Sequence, residues 1–236
     1  MLEVIDLHYK YPDGHEALRG VNLKVKDGEK TALVGANGSG KSTLLLHIAG
    51  AVEVQEGRII FGDREGSEVL RENVGLTFQN ADDEILMPTV IEDVAFSFVA
   101  SGMNVLSARE RAQKILSDLG IEHLAERPSH RLSGGEKRIV TFAGVLASEP
   151  DLLVLDEPSA GLDPKARRRV INFLRGTKRT ILLATHDLDM AVDVCERAVI
   201  LNEGVVSAEG LLPELFTDES LLEANGLELP LRYSSR

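Results

Sequence analysis

The stretch GANGSGKST, residues 35–43, decides the fold. It contains the pattern G-x-x-x-x-G-K-[ST], which ends at Lys41 and Ser42 and binds phosphate when it joins a strand to a helix. The preceding residues 30–34, KTALV, are almost continuously apolar and predict a buried strand, whereas the apolar run from Ser42 to Ala49 predicts a helix. The motif therefore lies in the structural context that it requires.

The chemistry of this loop predicts a bound nucleotide. Successive backbone N–H groups of a glycine-rich loop point inward at an anion, and the start of the following helix adds partial positive charge. Lys41 supplies a point charge for the outer phosphates, and the Ser42 hydroxyl is a ligand for Mg²⁺. The predicted phosphate-binding residues are Gly35, Asn37, Gly38, Ser39, Gly40, Lys41, Ser42 and Thr43.

A second segment, DLLVLDE at residues 151–157, ends a hydrophobic strand in two carboxylates. Asp156 is predicted to hold Mg²⁺ directly or through water, and Glu157 to polarise the water that attacks a phosphate. Read alone, the segment also fits a strand that simply ends in solvated acids. The phosphate loop favours the hydrolytic interpretation.

Three single residues stand where they can sense a nucleotide. Gln79 follows the predicted strand 74–78 and is a candidate for Mg²⁺ or the attacking water; His186 follows the predicted strand 179–185 and is a candidate for the terminal phosphate. Tyr11 is a candidate for stacking on a purine ring. The alternative for each is an ordinary loop or packing residue.

The segment RLSGGEKR, residues 131–138, resembles the phosphate loop in that its two glycines predict a helix start suited to an anion. Ser133 and Glu136 form the S-x-x-E pattern of a helix capping box. A cap does not need Gly134 and Gly135, each of which costs ~1 kcal/mol relative to alanine in a helix. We interpret them as backbone that another group approaches closely, and we expect that group to belong to the site of another copy.

Composition excludes several classes of protein. The chain has 38 acidic and 26 basic side chains and a net charge of -12, which argues against a broad nucleic-acid footprint. Its single cysteine excludes an internal disulfide framework and a cysteine-rich zinc site. The N-terminal residues lack a signal-peptide profile, and no apolar run approaches the ~18 residues of a membrane span. We expect a cytosolic protein that serves a membrane only through a partner.

The order of elements predicts one α/β domain over residues 1–236. Two alternating strands near the N-terminus, 2–8 and 21–26, predict a small antiparallel sheet. Helical periodicity between 79 and 133 predicts an inserted helical subdomain over about 80–134, and the tail, about 211–236, reads as a short helix with a loose end. The remaining apolar runs predict a buried, mostly parallel sheet formed by residues 30–34, 57–61, 74–78, 151–156, 179–185 and 197–202.

The ordered set of motifs resembles the nucleotide-binding subunits of ABC transporters, over nearly the whole chain. The resemblance implies a P-loop NTPase fold, ATP and Mg²⁺ as ligands, and two such domains that associate head to tail. It implies that Ser133, Gly134 and Gly135 bind the γ-phosphate of the partner's ATP, with Glu136 as the last residue of the same signature in trans. It also implies that Asp163 of SAGLD lies across the dimer seam. It also carries over adenine stacking to Tyr11, the Q-loop role to Gln79 and the switch role to His186.

A narrower resemblance is to the ATPases of energy-coupling factor (ECF) transporters, which import transition-metal ions or vitamins through separate membrane subunits. It is carried by FQNADDEILMPTVIEDVAF (78–96), YPDGHEALRGV and LLEANGLELP. It implies a peripheral protein on the cytoplasmic face, paired with an identical or related ATPase, a transmembrane coupling subunit and a substrate-capturing subunit. Two glutamates, Glu84 and Glu136, stand where that group usually has glutamine.

Three other functions remain as alternatives. A soluble ABC ATPase acting on DNA or ribosomes is disfavoured by the acidic balance and by the lack of a coiled-coil insertion or tandem domain. A GTP-dependent switch is disfavoured because N-K-x-D does not occur. A regulatory paralogue that binds ATP without hydrolysis is disfavoured by the intact Lys41, Asp156, Glu157 and His186.

Overall fold

The computed structural model describes residues 1–77 and 85–234. Gln79 and Glu84, to which the sequence assigns roles, lie outside the described residues. The chain forms two compact units. The first comprises Met1–Leu76, Asp151–Asp156 and Lys178–Arg236; the second comprises Thr77–Pro150 and Glu157–Thr177. The prediction of a single domain with a helical subdomain over about 80–134 stays a prediction.

The first unit begins with an antiparallel sheet. Strands β1 (Leu2–Lys10), β2 (Glu16–Val25), β4 (Glu56–Phe61) and β5 (Arg64–Glu65) lie in the order β2-β1-β4-β5. Apolar side chains on alternate positions of β1 and β2 are buried, which is why these segments form strands with one face on the core. The predicted N-terminal antiparallel sheet is confirmed.

The main sheet of the first unit contains six strands among the described residues. Its order is β10-β9-β3-β8-β7-β6, where the strands are β3 (Lys30–Val34), β6 (Val74–Thr77), β7 (Leu152–Asp156), β8 (Thr180–Ala184), β9 (Arg197–Asn202) and β10 (Val205–Leu211). The pairs β3–β8, β3–β9 and β7–β8 are parallel, and β9–β10 is antiparallel. Every residue of β3 and β7 is buried, as expected for central parallel strands.

The helices of the first unit lie between these strands along the chain, except for two that follow β10. Helix α1 (Lys41–Ile48) follows β3 after the glycine-rich loop, and its Leu44, Leu45 and Ile48 pack into the core with residues of both sheets. The others are α2 (Ser67–Asn73), α7 (Leu188–Val194), α8 (Leu212–Phe216) and α9 (Glu219–Ala224).

The second unit is helical. It contains α3 (Val90–Ala100), α4 (Val105–Asp118), α5 (Gly134–Ala147) and α6 (Pro164–Gly176), with 3-10 turns at Glu122–Leu124 and Ser129–Arg131. Helix α3 packs on both α4 and α5. Phe142 of α5 meets Phe173 of α6 edge to face, with 5.6 Å between the ring centres.

Some sequence expectations about strands and the tail are wrong. The sequence predicts that residues 57–61 join the parallel sheet, but they lie in β4, which pairs antiparallel with β1. The first three residues of β4 are exposed, whereas a central parallel strand is covered on both faces. Strand β10 was missed because its exposed and half-buried residues give no apolar signal. The tail is not loose up to residue 234: Asp189 of α7 accepts hydrogen bonds from the backbone N–H groups of Leu231 and Arg232, each at 3.2 Å.

Two glycines, Gly57 within β4 and Gly62 just after it, test how steric fit and backbone conformation each contribute to the stability of this unit. Both have positive φ, +95° at Gly57 and +66° at Gly62, but a Cβ at Gly57 would lie 2.3 Å from the carbonyl oxygen of Asp6, whereas no described atom comes within 4 Å at Gly62. We expect Gly62→Ala to lower the free energy of unfolding by ~1–2 kcal/mol. Gly57→Ala should lower it by a further ~1–3 kcal/mol. Urea denaturation of both variants measures the difference, and equal losses would contradict the assigned clash.

Candidate nucleotide site

The phosphate loop connects β3 to α1 and is closely packed at the two glycines of its motif, Gly35 and Gly40. A Cβ at Gly35 would lie 2.1 Å from the carbonyl oxygen of Leu201, and one at Gly40 would lie 2.6 Å from that of Ala17. Gly40 also has φ +105° as the N-cap of α1, a conformation that disfavours any side chain. The spacing of these glycines is therefore fixed by the backbone packing of the first unit.

Lys41 directs its ammonium group into the loop. Its Nζ donates to the carbonyl oxygens of Gly35 at 2.7 Å and Ala36 at 3.0 Å, and the side chain is buried. A buried ammonium at the mouth of a loop of backbone N–H groups attracts an anion more strongly than an exposed one, because water screens it less. The geometry agrees with the phosphate-binding role proposed for Lys41.

Ser42 and Asp156 meet although they are 114 residues apart in sequence. The Ser42 hydroxyl donates to Oδ2 of Asp156 at 2.8 Å, and Asp156 is 8% exposed at the end of β7. Two oxygen ligands side by side suit Mg²⁺, which binds proteins through one or two carboxylates and completes its shell with water and phosphate oxygens. Among the described residues there is no cluster of three or more acidic, histidine or cysteine side chains fit for a metal ion. Ser42 and Asp156 fit a magnesium ion of this partly hydrated kind.

Tyr11 lies against the helix that follows the loop. Its hydroxyl is 2.9 Å from Oγ1 of Thr43, and His47 Nδ1 donates to the backbone oxygen of Thr43 at 2.7 Å. The ring of Tyr9 meets both Tyr11 and His47 edge to face. Burial lowers the pKa of His47, so the imidazole is neutral at neutral pH. Sequence reasoning missed Tyr9, which contacts Tyr11, and His47, which contacts Tyr9 and Thr43, since nothing local indicates that these residues meet.

His186 follows β8 in an exposed position beside the phosphate loop. It lines an open cavity of about 470 Å³ together with residues of the loop and of the C-terminal segment. The members that face this cavity are Gly35, Ala36, Asn37, His186, Asp187, Leu188, Asp189 and residues 226–231. The structure thus brings His186 and Asn37 to one cavity, and the switch role of His186 stays a prediction.

Glu157 belongs to the second unit and has an unusual backbone. Its φ is +49°, and only 6% of the residue is exposed. The guanidinium of the buried Arg138, on α5, donates to the backbone oxygen of Glu157. A non-glycine residue in this conformation is strained and is held only by its surroundings, a feature that clusters at functional sites. Arg138 is a functional candidate that the sequence did not reveal, because its partner is far along the chain.

The LSGGE segment starts helix α5 with a complete capping box. Ser133 is the N-cap; its Oγ accepts from the backbone N–H of Glu136 at 3.3 Å, and Glu136 Oε2 accepts from the backbone N–H of Ser133 at 2.8 Å. A Cβ at Gly134 would meet no described atom within 4 Å, and one at Gly135 would lie 3.4 Å from the carbonyl oxygen of Gly161. Nothing within the described fold demands glycine at 134, which agrees with a group that approaches from outside.

Asp163 is the N-cap of α6. Its Oδ1 accepts from the backbone N–H of Ala166 at 2.8 Å, and the residue is exposed. The structure therefore assigns it a capping role within the chain, and its position across a dimer seam stays a prediction. Gln79, predicted to bind Mg²⁺ or water, lies outside the described residues.

A family model described as ABC transporter matches residues 18–160, more than half of the chain. The chain belongs to the ABC transporter family, which confirms the resemblance. It is the ATP-binding subunit of such a transporter and hydrolyses ATP in a reaction coupled to transport. The predicted α/β fold of an ABC ATPase is confirmed as well.

Individual relatives agree with this assignment. A putative ABC transporter ATP-binding protein of Gloeobacter violaceus is 51% identical, with 98% of this chain and 97% of that protein covered. The energy-coupling factor transporter ATP-binding protein EcfA of Methanothermobacter thermautotrophicus is 41% identical, with 98% of this chain and 77% of that protein covered.

Solved structures give the same result. CbiO1 of Clostridium perfringens, described as part of the ABC transporter complex CbiONQ, has a TM-score of 0.82 at 38% identity, with 94% of this chain and 93% of that chain covered. The ATP-binding cassette MJ0796, solved as a dimer in a post-hydrolysis state with ADP and Pi, has a TM-score of 0.82 at 28% identity, with 90% and 99% covered.

The contact between Arg138 and Glu157 yields a prediction. Arg138→Met should lower kcat for ATP hydrolysis about 10- to 100-fold, because a misplaced catalytic group costs rate even when binding persists. The affinity for ATP should change little, since the donor groups assigned to the phosphates are those of residues 35–43 and the hydrogen bond lost is the one to Glu157. Steady-state kinetics and equilibrium ATP binding separate the two effects. Arg109→Met, which removes an exposed arginine paired with Glu126, is the matched control and should retain full turnover.

Proposed function

We propose that the protein is the ATPase of an ECF-type importer of a transition-metal ion or a vitamin. Two ATPase domains close on MgATP, and their closure drives separate membrane subunits. The observation that carries the ATPase chemistry is the contact of Ser42 with Asp156 at 2.8 Å beside the phosphate loop. Support for the ECF type comes from the 41% identity to EcfA and the fold match to CbiO1.

In the proposed mechanism each residue has a separate task. The backbone N–H groups of residues 35–43 and the Lys41 ammonium bind and orient the triphosphate, while Tyr11 stacks on the adenine. Ser42, Asp156 and Gln79 would hold Mg²⁺, which would neutralise charge on the phosphates. Together they fix the nucleotide in position for hydrolysis.

Hydrolysis itself is assigned to residues at the ends of β7 and β8. Glu157 orients and polarises the attacking water, and Arg138 keeps the Glu157 backbone in position. A positioned base contributes ~100- to 10,000-fold in rate. His186 contacts the terminal phosphate and so reports whether it is present.

The LSGGE segment completes the site of a second copy. Ser133, Gly134 and Gly135 bind the γ-phosphate of the partner's nucleotide at the start of α5, Glu136 caps that helix, and Asp163 lies across the seam. A helix N-terminus facing an anion contributes ~0.3–2 kcal/mol, so a lone subunit lacks part of the donors that the reaction needs. The partner is an identical or a related ATPase, as in the dimeric MJ0796 cassette.

A membrane subunit is the second proposed partner. No helix in residues 1–77 and 85–234 combines the length and the apolar character needed to cross a bilayer. Several large apolar side chains of the second unit are exposed, namely Leu86, Phe96, Val99, Val105 and Leu106. Leu86 is 72% exposed even though its backbone N–H is bound to Asp93 of α3 at 2.8 Å. These residues support the proposal of a surface for coupling helices on a protein that lies peripherally on the cytoplasmic face of the membrane.

Removal of the base tests the proposed ATP-driven pairing. Glu157→Gln should leave ATP binding intact and trap a nucleotide-bound dimer, because closure no longer ends in hydrolysis. Size-exclusion chromatography with light scattering, with and without MgATP, measures the dimer. Glu122→Gln, an exposed glutamate in a 3-10 turn of the same unit, is the control and should remain monomeric under the same conditions. A monomeric Glu157→Gln protein that binds ATP would contradict the proposal.

Co-purification tests the proposed importer. The tagged protein, isolated from its native membrane in mild detergent, should bring down a multispanning coupling subunit and a smaller substrate-capturing subunit, identified by mass spectrometry. Substitution of Leu86 and Leu106 by aspartate should reduce their recovery while turnover of the isolated ATPase persists. Recovery of nucleic-acid or ribosomal proteins in place of membrane subunits would support the soluble alternative.

A further inference from the structure

Glu136 binds Ser133 through more than the backbone cap. Its Oε2 accepts the hydroxyl of Ser133 at 2.9 Å as well as the Ser133 backbone N–H, and its Oε1 accepts from Arg127 at 2.6 Å. The backbone N–H of Ser133, followed by its hydroxyl and by Arg127, holds the pKa of Glu136 below its usual range despite some loss of hydration. The carboxylate is therefore ionised at neutral pH.

An ionised carboxylate dictates the direction of these hydrogen bonds. It has only acceptor oxygens, so the single proton of the Ser133 hydroxyl points at Glu136. The same Oγ already accepts from the Glu136 backbone N–H at 3.3 Å. Toward an outside group, the Ser133 hydroxyl oxygen can therefore act only as a hydrogen-bond acceptor. Phosphate oxygens are also acceptors, so a serine in this state offers no hydroxyl donor to a phosphate.

A glutamine at 136 would have the opposite effect. Its amide oxygen can still accept the Ser133 backbone N–H, and its NH₂ group can donate to Ser133 Oγ. The hydroxyl proton is then available to an external anion. Glutamine also removes a negative charge from the immediate neighbourhood of that anion.

We propose that Glu136 holds the Ser133 hydroxyl in a hydrogen bond that keeps it from donating to a phosphate, and thereby sets the ATP concentration at which two copies pair. We call this hydrogen bond the latch. This inference rests on the proposed function, in which Ser133 meets the γ-phosphate of a second copy. Arg127 keeps the latch closed by holding the Glu136 carboxylate against the cap. Pairing requires the Ser133 hydroxyl to rotate from Glu136 to the phosphate.

The chain contains a matched control for this chemistry. Helix α3 starts with the same capping box, in which Glu92 Oε2 accepts from the backbone N–H of Thr89 at 3.2 Å and from its hydroxyl at 2.7 Å. No nucleotide role is assigned to Thr89. Glu92→Gln therefore makes the same change in a helix cap without touching the proposed latch.

The test uses the Glu157→Gln background and measures the MgATP concentration at half-maximal dimer by light scattering. We expect Glu136→Gln to lower that concentration about 10-fold or more, which is the scale of one hydrogen bond to a charged group. Glu92→Gln should leave it unchanged. An unchanged or raised midpoint with Glu136→Gln, or an equal fall with Glu92→Gln, would overturn the latch.

A further variant shows whether Glu136 acts through the serine hydroxyl. When Ser133→Ala is present, Glu136→Gln should no longer lower the midpoint, because there is no hydroxyl to release. A fall that persists without the hydroxyl would assign the effect to charge alone and reject the latch. If the Glu157→Gln parent forms no ATP-dependent dimer, the proposed function fails; if the parent pairs and the midpoint does not move, only the latch fails.

Discussion

The hydrogen bond from Ser42 to Asp156 is the constraint on which the rest of the site depends. It joins the start of α1 to the carboxyl end of β7, with β8 between β7 and β3 in the sheet. Because β3 and β7 are buried throughout, neither end can shift without repacking the core. A rigid sheet thus fixes two side-chain oxygens beside the phosphate loop, an arrangement that fits the proposed magnesium nucleotide.

Close backbone packing also fixes the position of the phosphate loop, residues 35–43. Gly35 touches Leu201 at the end of β9, and Gly40 touches Ala17 of β2. The loop is therefore positioned by neighbouring strands rather than by its own sequence alone. Lys41, which folds onto the carbonyl oxygens of Gly35 and Ala36, uses the rigidity of that loop to place its charge.

In the second unit, the residues proposed to meet a second copy lie at the starts of helices. Ser133 and Asp163 are both N-caps whose side chains already accept backbone hydrogen bonds. A residue that caps its own helix and also meets an outside ligand has to share its hydrogen bonds between the two tasks. In the proposed latch, the glutamate at position 136 decides how Ser133 shares its hydrogen bonds, and so links this residue to the control of pairing.

The sequence by itself determined the phosphate loop, the strand that ends in Asp156 and Glu157, and the capping box at Ser133, because each depends on residues within one short segment. It also sufficed for the α/β fold, since buried strands and amphipathic helices have their own periodicities. Only the tertiary structure decided that residues 57–61 join the antiparallel sheet. The same holds for the contacts of Arg138 with Glu157 and of His47 with Thr43, and for the binding of the tail to α7. Burial and partner choice there depend on chain segments whose sequences carry no local sign of one another.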